Sequence, residues 1–499
     1  MAALSLVLTG TMSAQGFQVL YTFTLAPNDN NSEGRNPHAG LVVAGNALLG
    51  TAFDAGQYGS GAIFGVNTYG SGVTPYYSFS QVPNFSNTNR DGSHPQSPLI
   101  YSGTVLYGTA SQGGTNGNGT VFELSMATGL KVLHTFTSRS LPPGTNSDGA
   151  APEAGLVLSG TSLYSTTEFG GTTGNGTVFK VDDSTLAFTN LHNFTALRAN
   201  QSGFYTNGDG ALPVAKLTLA GDMLYGSASG GGSNGYGTIF AMTTDGTGFA
   251  TLHHFSPTSA EGTNRDGIYP KAALILTNGI LYGVASSGGF YGSGTVFAFN
   301  IVESRLTVLH HFATVENDLS KGFISPLTNS DGMAPVGDLA MSGNILYGTT
   351  SSGGANGMGT VFSVGIDGTG FTVLHTFSAL VTNSAPVDPL YTNSDGAIPL
   401  GGLVLSSNVL YGTTSFGGLN SDGTVFSLSV LPEIGIVRFG TNIILSWSTN
   451  LPGFTLEFTT NLPPTALWVS NAAAPAILND KYVLTNSTPG RQRFFRLIQ

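Results

Sequence analysis

One thirteen-residue frame recurs seven times along this chain, each time running from a glycine-rich stretch into a β-branched and aromatic segment. The copies are AFDAGQYGSGAIF ending at Phe64, ASQGGTNGNGTVF at Phe122, TEFGGTTGNGTVF at Phe179, ASGGGSNGYGTIF at Phe240, ASSGGFYGSGTVF at Phe297, TSSGGANGMGTVF at Phe362 and TSFGGLNSDGTVF at Phe426. Successive phenylalanines lie 58, 57, 61, 57, 65 and 64 residues apart. A period of that length makes the 499 residues an array of similar units, where length alone would suggest about three unrelated domains.

Glycine-rich runs can cradle phosphate, because backbone N–H groups without neighbouring Cβ atoms converge on an anion. That job is done once per site and leads into a helix. Here the run is repeated and leads into a strand, so its glycines read as turn residues with positive φ. The 71 glycines fit many closely spaced turns, and 40% hydrophobic residues supply cores for short strands.

Each period reads as four strands, a to d. In the sixth copy they are DLAMS (Asp338–Ser342), ILYGTTS (Ile345–Ser351), GTVFSVG (Gly359–Gly365) and FTVLHTF (Phe371–Phe377). The joints are a turn at Gly343 and Asn344, the glycine loop, and a turn at Asp367 and Gly368. After d comes a polar stretch ending in Asn-x-Asp-Gly-x-x-Pro, as in TNSDGAIP (Thr392–Pro399). The motif recurs at Asp91, Asp148, Asp209, Asp266 and Asp331, and Glu33 replaces the aspartate in the first copy. Four antiparallel strands per period, repeated radially, describe a β-propeller blade, and the count predicts seven. The seventh repeat has a, b and c but no d; FQVLYTF (Phe17–Phe23) matches a d strand with nothing before it. The expected fold is therefore all-β, a seven-bladed β-propeller over residues 15–431 closed by its N-terminal strand, which removes an open edge.

The LYGT, SxGGxNGxGTVF, VLHTF and NSDGxxP elements, in that order, resemble the GloVer tandem repeat of secreted bacterial proteins over residues 17–428. The resemblance implies an exported repeat protein and transfers no catalytic residues. Residues 432–499 differ in kind. They hold Trp447 and Trp468 and alternating segments such as IILSWST and FTLEFTT, a pattern similar to immunoglobulin or fibronectin type III β-sandwich modules. This segment carries five basic and three acidic residues, leaving 11 basic and 24 acidic for the repeats. An acidic repeat region disfavours nucleic acid and anionic membranes. Residues 1–14 read as a partial signal peptide, with Ala2–Val7 apolar and small residues near Ala14, and the absence of cysteine fits a bacterial exported protein. A secreted or cell-surface location and a monomer are expected. No stretch is long enough to span a membrane as an apolar helix.

Nine histidines invite a metal, but His134, His192, His253, His310 and His375 fall in one column of strand d, shared with Tyr21 and Tyr77. Members of a column spread over the blades cannot converge on one ion, so a packing role with a polar handle is expected, and no metal or other cofactor. Each Asp-Gly-x-x-Pro loop supplies one carboxylate, too few for calcium; an Asx-type turn, in which Asp accepts backbone N–H bonds and Pro leads into strand a, accounts for it.

Function is then sought where the copies differ. The d-to-a and b-to-c loops share one face, which also receives the insertions Thr195–Tyr205, Ala313–Leu327 and Ser378–Tyr391. Just before strand a, near the expected central opening, the copies place His38, His94 with Gln96, Glu153 and Lys271 against Val214, Val336 and Leu400. Asp54 and Glu168 are polar departures in the glycine loops. These seven polar residues form a candidate binding site, with unconstrained drift of solvated loop residues as the alternative reading. The expected function is an exported, non-catalytic scaffold for a glycan, protein or surface component. The alternative is a polysaccharide lyase or hydrolase using His38, His94 and Glu153, although no two carboxylates have a recognisable catalytic spacing.

Overall fold

A computed structural model describes residues 16–26, 30–83, 87–141, 144–317, 327–382, 390–430, 435–439, 442–448, 455–459, 468–471, 473–478, 481–487 and 493–498. The expected leader, the boundary at Pro432 and parts of two long insertions lie outside these residues. The chain divides into two compact units, one made of Gln18–Ser406 and Tyr411–Ser427, the other built mainly on Leu428–Gln499.

Among the described residues there is no helix, hence none long and apolar enough to cross a membrane. The repeats form seven four-stranded antiparallel sheets in a propeller-like arrangement. In the sixth, a is Ala340–Ser342, b Ile345–Thr350, c Thr360–Gly365 and d Thr372–Thr376. Strand a is two residues shorter than the sequence suggests, because its first residues bond sideways: the carbonyl of Asp338 accepts the N–H of Leu403 in the next repeat (3.2 Å). The seventh sheet takes its outer strand from the other end of the chain, in the order Phe17–Thr22, Thr424–Ser429, Val409–Thr414, Val404–Ser406.

The seams are held by two phenylalanines, one in c and one just after d of the preceding repeat, such as Phe362 on Phe312 (5.3 Å), both fully buried. The LYGT glycine of strand b makes room for the first: a Cβ at Gly348 would stand 2.5 Å from the Phe362 ring. The glycine loop is a turn that needs glycine: at Gly359 φ is +95° and a Cβ would lie 2.2 Å from the carbonyl oxygen of Thr350.

The d column does pack. His134 lies on Phe188 (3.9 Å), His192 on Phe249 (3.8 Å) and His310 on Phe371 (3.5 Å), each phenylalanine belonging to the neighbouring sheet. The Nε2 atoms of His134, His192, His253, His310 and His375 bond the motif aspartates at 2.8–3.0 Å. Tyr77 donates likewise to Asp91 (2.6 Å) and Tyr21 to Glu33 (3.1 Å), so the one glutamate sits opposite a tyrosine.

The expected division of labour in the motif needs correcting. The aspartate does accept backbone N–H, but from beyond strand d: Asp148 takes the N–H of Thr137. The Asx acceptor is the asparagine, whose amide, unlike a carboxylate, both donates and accepts. Asn146 Oδ1 accepts from Gly149 (3.0 Å) and Gly171 (2.8 Å), while its Nδ2 donates to the carbonyls of Thr137 and Gly149. The proline packs on the preceding repeat, so that a Cβ at Gly119 would meet Pro152 at 2.5 Å; Gly423 and Pro37 stand in the same relation, at 2.9 Å.

The residue before that proline is left-handed in every repeat: Asn36, His94, Ala151, Leu212, Tyr269, Ala334 and Ile398 have φ between 52° and 58°. Two bonds hold Ile398 there. Its N–H reaches the carbonyl of Met358 in the preceding repeat, and its own carbonyl accepts the N–H of Ser415 (both 3.1 Å). Apart from Asn36 and His94, nothing in these side chains announces the conformation.

In the second unit, Gly435–Phe439, Asn442–Ser448, Lys481–Ser487 and Ala476–Leu478 form one antiparallel sheet; Val469–Ser470, Thr455–Thr459 and Phe494–Ile498 form another. Leu445, Trp447 and Leu484 from the first share a core with Leu456 from the second.

Candidate functional site

Strand a starts at the centre of the repeat unit, so the residue after each motif proline faces inward. A cavity of about 100 Å³ is lined by that residue from all seven repeats: His38, Gln96, Glu153, Val214, Lys271, Val336 and Leu400. A second ring lies two residues on, where four copies have Gly40, Pro98, Gly155 and Gly402 but two carry Lys216 and Asp338. Below it opens a larger space of about 460 Å³, lined by apolar residues of strand a such as Leu41, Leu99 and Leu274. The sequence reading named the polar members of the first ring but passed over Lys216 and Asp338. Their signal was a charge where other copies keep a small residue. Asp338 is partly occupied: its Oδ1 accepts the N–H of Ala273 (2.7 Å).

Three neighbouring repeats make the mouth polar, and their side chains act on one another in series: Gln96 raises the pKa of His38 and lowers that of Glu153, and Glu153 raises that of Glu168. Glu168 does not line the cavity. It stands in the glycine loop at a position held by Ser111, Ser229, Ser286, Ser351 and Ser415 elsewhere, whose hydroxyls bond the left-handed residue's carbonyl. Two copies give up that serine. In the first, Phe53 takes its place and stacks on His38 at 4.4 Å; in the third, Glu168 takes it and feels the charge of Glu153. In both, the departure sits beside a polar residue at the mouth, and Phe53 is the member of the set that sequence reasoning passed over. Glu153 and Glu168 are also two carboxyls near enough for the charge of one to raise the pKa of the other, although their fifteen-residue separation matched no catalytic spacing.

Electrostatics follow from burial. Desolvation holds His38 and His94 below the usual imidazole range, against the opposing charge of Asp54. Both rings are therefore neutral at pH 7 and able to donate and accept. Glu153 is raised, chiefly by desolvation; Glu168 is pushed up to about 7 by desolvation and then by the charge and hydrogen bond of Glu153, with Lys271 and Arg139 opposing. The pair thus retains a proton up to near neutrality. His94 and Asp54 flank this chain. His94, at the left-handed position, sets Nε2 3.6 Å from Asp54 Oδ1 and Nδ1 3.1 Å from Ser93 Oγ, and its ring lies 4.8 Å from Phe53. Asp54 also accepts from Asn36 Nδ2 (3.1 Å). Lys271 is exposed at the far side of the mouth. Among the described residues, no three His, Asp or Glu side chains gather as a metal ion would require.

Residues 6–203, 200–386 and 319–435 match the Gloeobacter/Verrucomicrobia repeat family. No protein of curated function matches the chain. Among solved structures, the chain is similar to the GH74 xyloglucanase from Xanthomonas campestris (11% identity, TM-score 0.47, 87% of this chain and 59% of that one). It is also similar to oligogalacturonate lyase from Vibrio parahaemolyticus (10%, TM-score 0.42, 83% and 93%).

Proposed function

The chain belongs to the Gloeobacter/Verrucomicrobia repeat family, and from that premise we propose that it is an exported, non-catalytic binding scaffold. Its repeats form a seven-bladed propeller closed by Phe17–Thr22, and its C-terminal unit is an immunoglobulin-like or fibronectin-like sandwich serving as spacer or attachment. Closure is supported by the pairing of that strand with Thr424–Ser429 and by the Gly423–Pro37 contact, which repeats the relation seen at the other seams. The ligand is a glycan whose end enters the channel mouth. One observation carries this: His38, Gln96 and Glu153 from three successive repeats line a single opening, with Glu168 acting on Glu153 beside it, where three of the other repeats place Val214, Val336 and Leu400.

One feature favours binding over hydrolysis. A cavity of about 100 Å³ holds roughly three waters' worth of ligand, enough for a terminal hydroxyl or hydroxymethyl group but not a sugar ring. A second reading has one observation behind it: Glu168, protonated near neutrality, could donate a proton as the acid of a lyase, with neutral His38 or His94 as base. The test is a glycan array and a reducing-end and unsaturated-product assay on the same polysaccharides. With H38A/Q96A/E153Q the expected result is an unchanged melting temperature and at least tenfold weaker binding. Unchanged binding would sink the proposal, and product formation that disappears in E168Q would replace it with the lyase reading.

A further inference from the structure

The stacking column has a gap. The phenylalanine that covers each d-strand histidine lies four residues before the next repeat's histidine, as Phe188, Phe249 and Phe371 do. For His253 that place is taken by Leu306, and the ring it meets from the neighbouring sheet, Phe299, is tilted 49° at 5.9 Å. Here the seam between the fourth and fifth sheets opens into a cavity of about 460 Å³. It runs along the outer strand Arg305–His311, about 20 Å at the usual rise per residue.

Its lining does not match the rest of the molecule. In a chain of 27 acidic and 16 basic residues, Arg265 and Arg305 both face this groove. Arg305 has only a loose partner, Glu303 at 4.0 Å, and both side chains are well exposed, so exchanging that contact for a ligand costs little. Asp266 is committed elsewhere, to His253 Nε2 (2.9 Å) and to the N–H and Oγ of Ser256. Phe290 is 57% exposed yet held in place: its ring stacks on His311 at 4.0 Å, and its own N–H donates to His311 Nδ1 (3.2 Å). A fixed apolar face beside two guanidinium groups suits a sugar ring bearing an anionic substituent.

We propose that this groove binds a linear anionic polysaccharide, one pyranose ring stacked on Phe290 and its carboxylate or sulfate groups held by Arg265 and Arg305. An acidic peptide adding to the outer edge is the rival occupant. The groove favours the glycan because a backbone edge is offered by every outer strand, whereas the exposed ring and the arginines belong to this seam.

The full chain is titrated calorimetrically with alginate oligomers, chondroitin sulfate oligomers, neutral dextran and poly-glutamate at low and moderate salt. Binding of alginate or chondroitin sulfate, weakening with salt, is expected, and whichever binds more tightly identifies the anionic group. R265A/R305A should weaken it at least tenfold and F290A several-fold, with unchanged melting, because these side chains are exposed. H38A/Q96A/E153Q should leave it intact, which separates this groove from the channel mouth. Dextran binding as tightly as alginate, poly-glutamate binding as tightly as either glycan, or full affinity in R265A/R305A would each overturn the proposal.

Discussion

The residue before each motif proline and the residue after it are two positions apart in sequence and opposite in what they specify. Before the proline stand Asn36, His94, Ala151, Leu212, Tyr269, Ala334 and Ile398, chemically unrelated, all left-handed and tied by the backbone to the preceding repeat. After it stand His38, Gln96, Glu153, Val214, Lys271, Val336 and Leu400, equally varied, all turned to one cavity. At the seam the main chain does the recognition, so side-chain variety there is indifferent. At the mouth the side chains are the surface, and variety there is the chemistry. Sequence diversity alone does not distinguish the two cases.

The comparison breaks most completely if the seams are not what holds the repeats together. Deleting residues 16–24 removes Leu20 and the fully buried Phe23 and uncovers Thr424–Ser429; it should lower stability by more than about 5 kcal/mol in a denaturant melt. A parent-like melt would disprove closure by the N-terminal strand. Gly359→Val comes next. With φ at +95° and the Thr350 carbonyl and Pro399 in the way of a Cβ, a loss of about 2–4 kcal/mol is expected, while ligand binding by the folded fraction stays the same. Weakened binding in that folded fraction would return the glycine loop to the site.

Glu168→Gln sharpens the other side. The folded carboxyl is pushed up to about 7, above its unfolded value. Its stabilising share is therefore complete below about pH 4.5, shrinks as pH rises, and is gone above about pH 7. The variant should gain on the parent between pH 5 and pH 8, by on the order of 1 kcal/mol once solvent screening of a half-buried group is allowed for. Parallel stability curves across that range would mean the Glu153–Glu168 contact does not bind a proton. Ile398→Asn should do the least and act in the opposite sense, raising stability by about 0.5–1 kcal/mol by relieving a β-branched residue at φ +56°. Destabilisation would show that the Ile398 side chain matters at its seam.

Much of this was legible because it repeats. LYGT and GTVF identify strands b and c, and the phase of the strands puts the residue after the proline at the start of strand a, facing the cavity. What stayed hidden depends on contacts between repeats or between positions whose spacing has no precedent. Ile398 carries no glycine or asparagine signature, because its conformation is imposed by Met358 of another repeat and by Ser415. Glu153 and Glu168 were both visible as departures, but their meeting depends on how strand b returns past the start of strand a. Asn146 outranks Asp148 in the turn because only an amide can answer carbonyls and N–H groups together.

The left-handed residue at each seam also sets the size of the cooperative unit. A repeat of 57 to 65 residues can be duplicated as a stretch of sequence, yet it cannot complete its own geometry, since half of what holds Ile398 comes from Met358 next door. Excising one copy would leave a strained backbone unheld on one side and a carbonyl without its donor on the other. Folding of the repeats is therefore collective: limited proteolysis should yield the whole repeat unit or small fragments, and no stable ladder of one, two or three repeats.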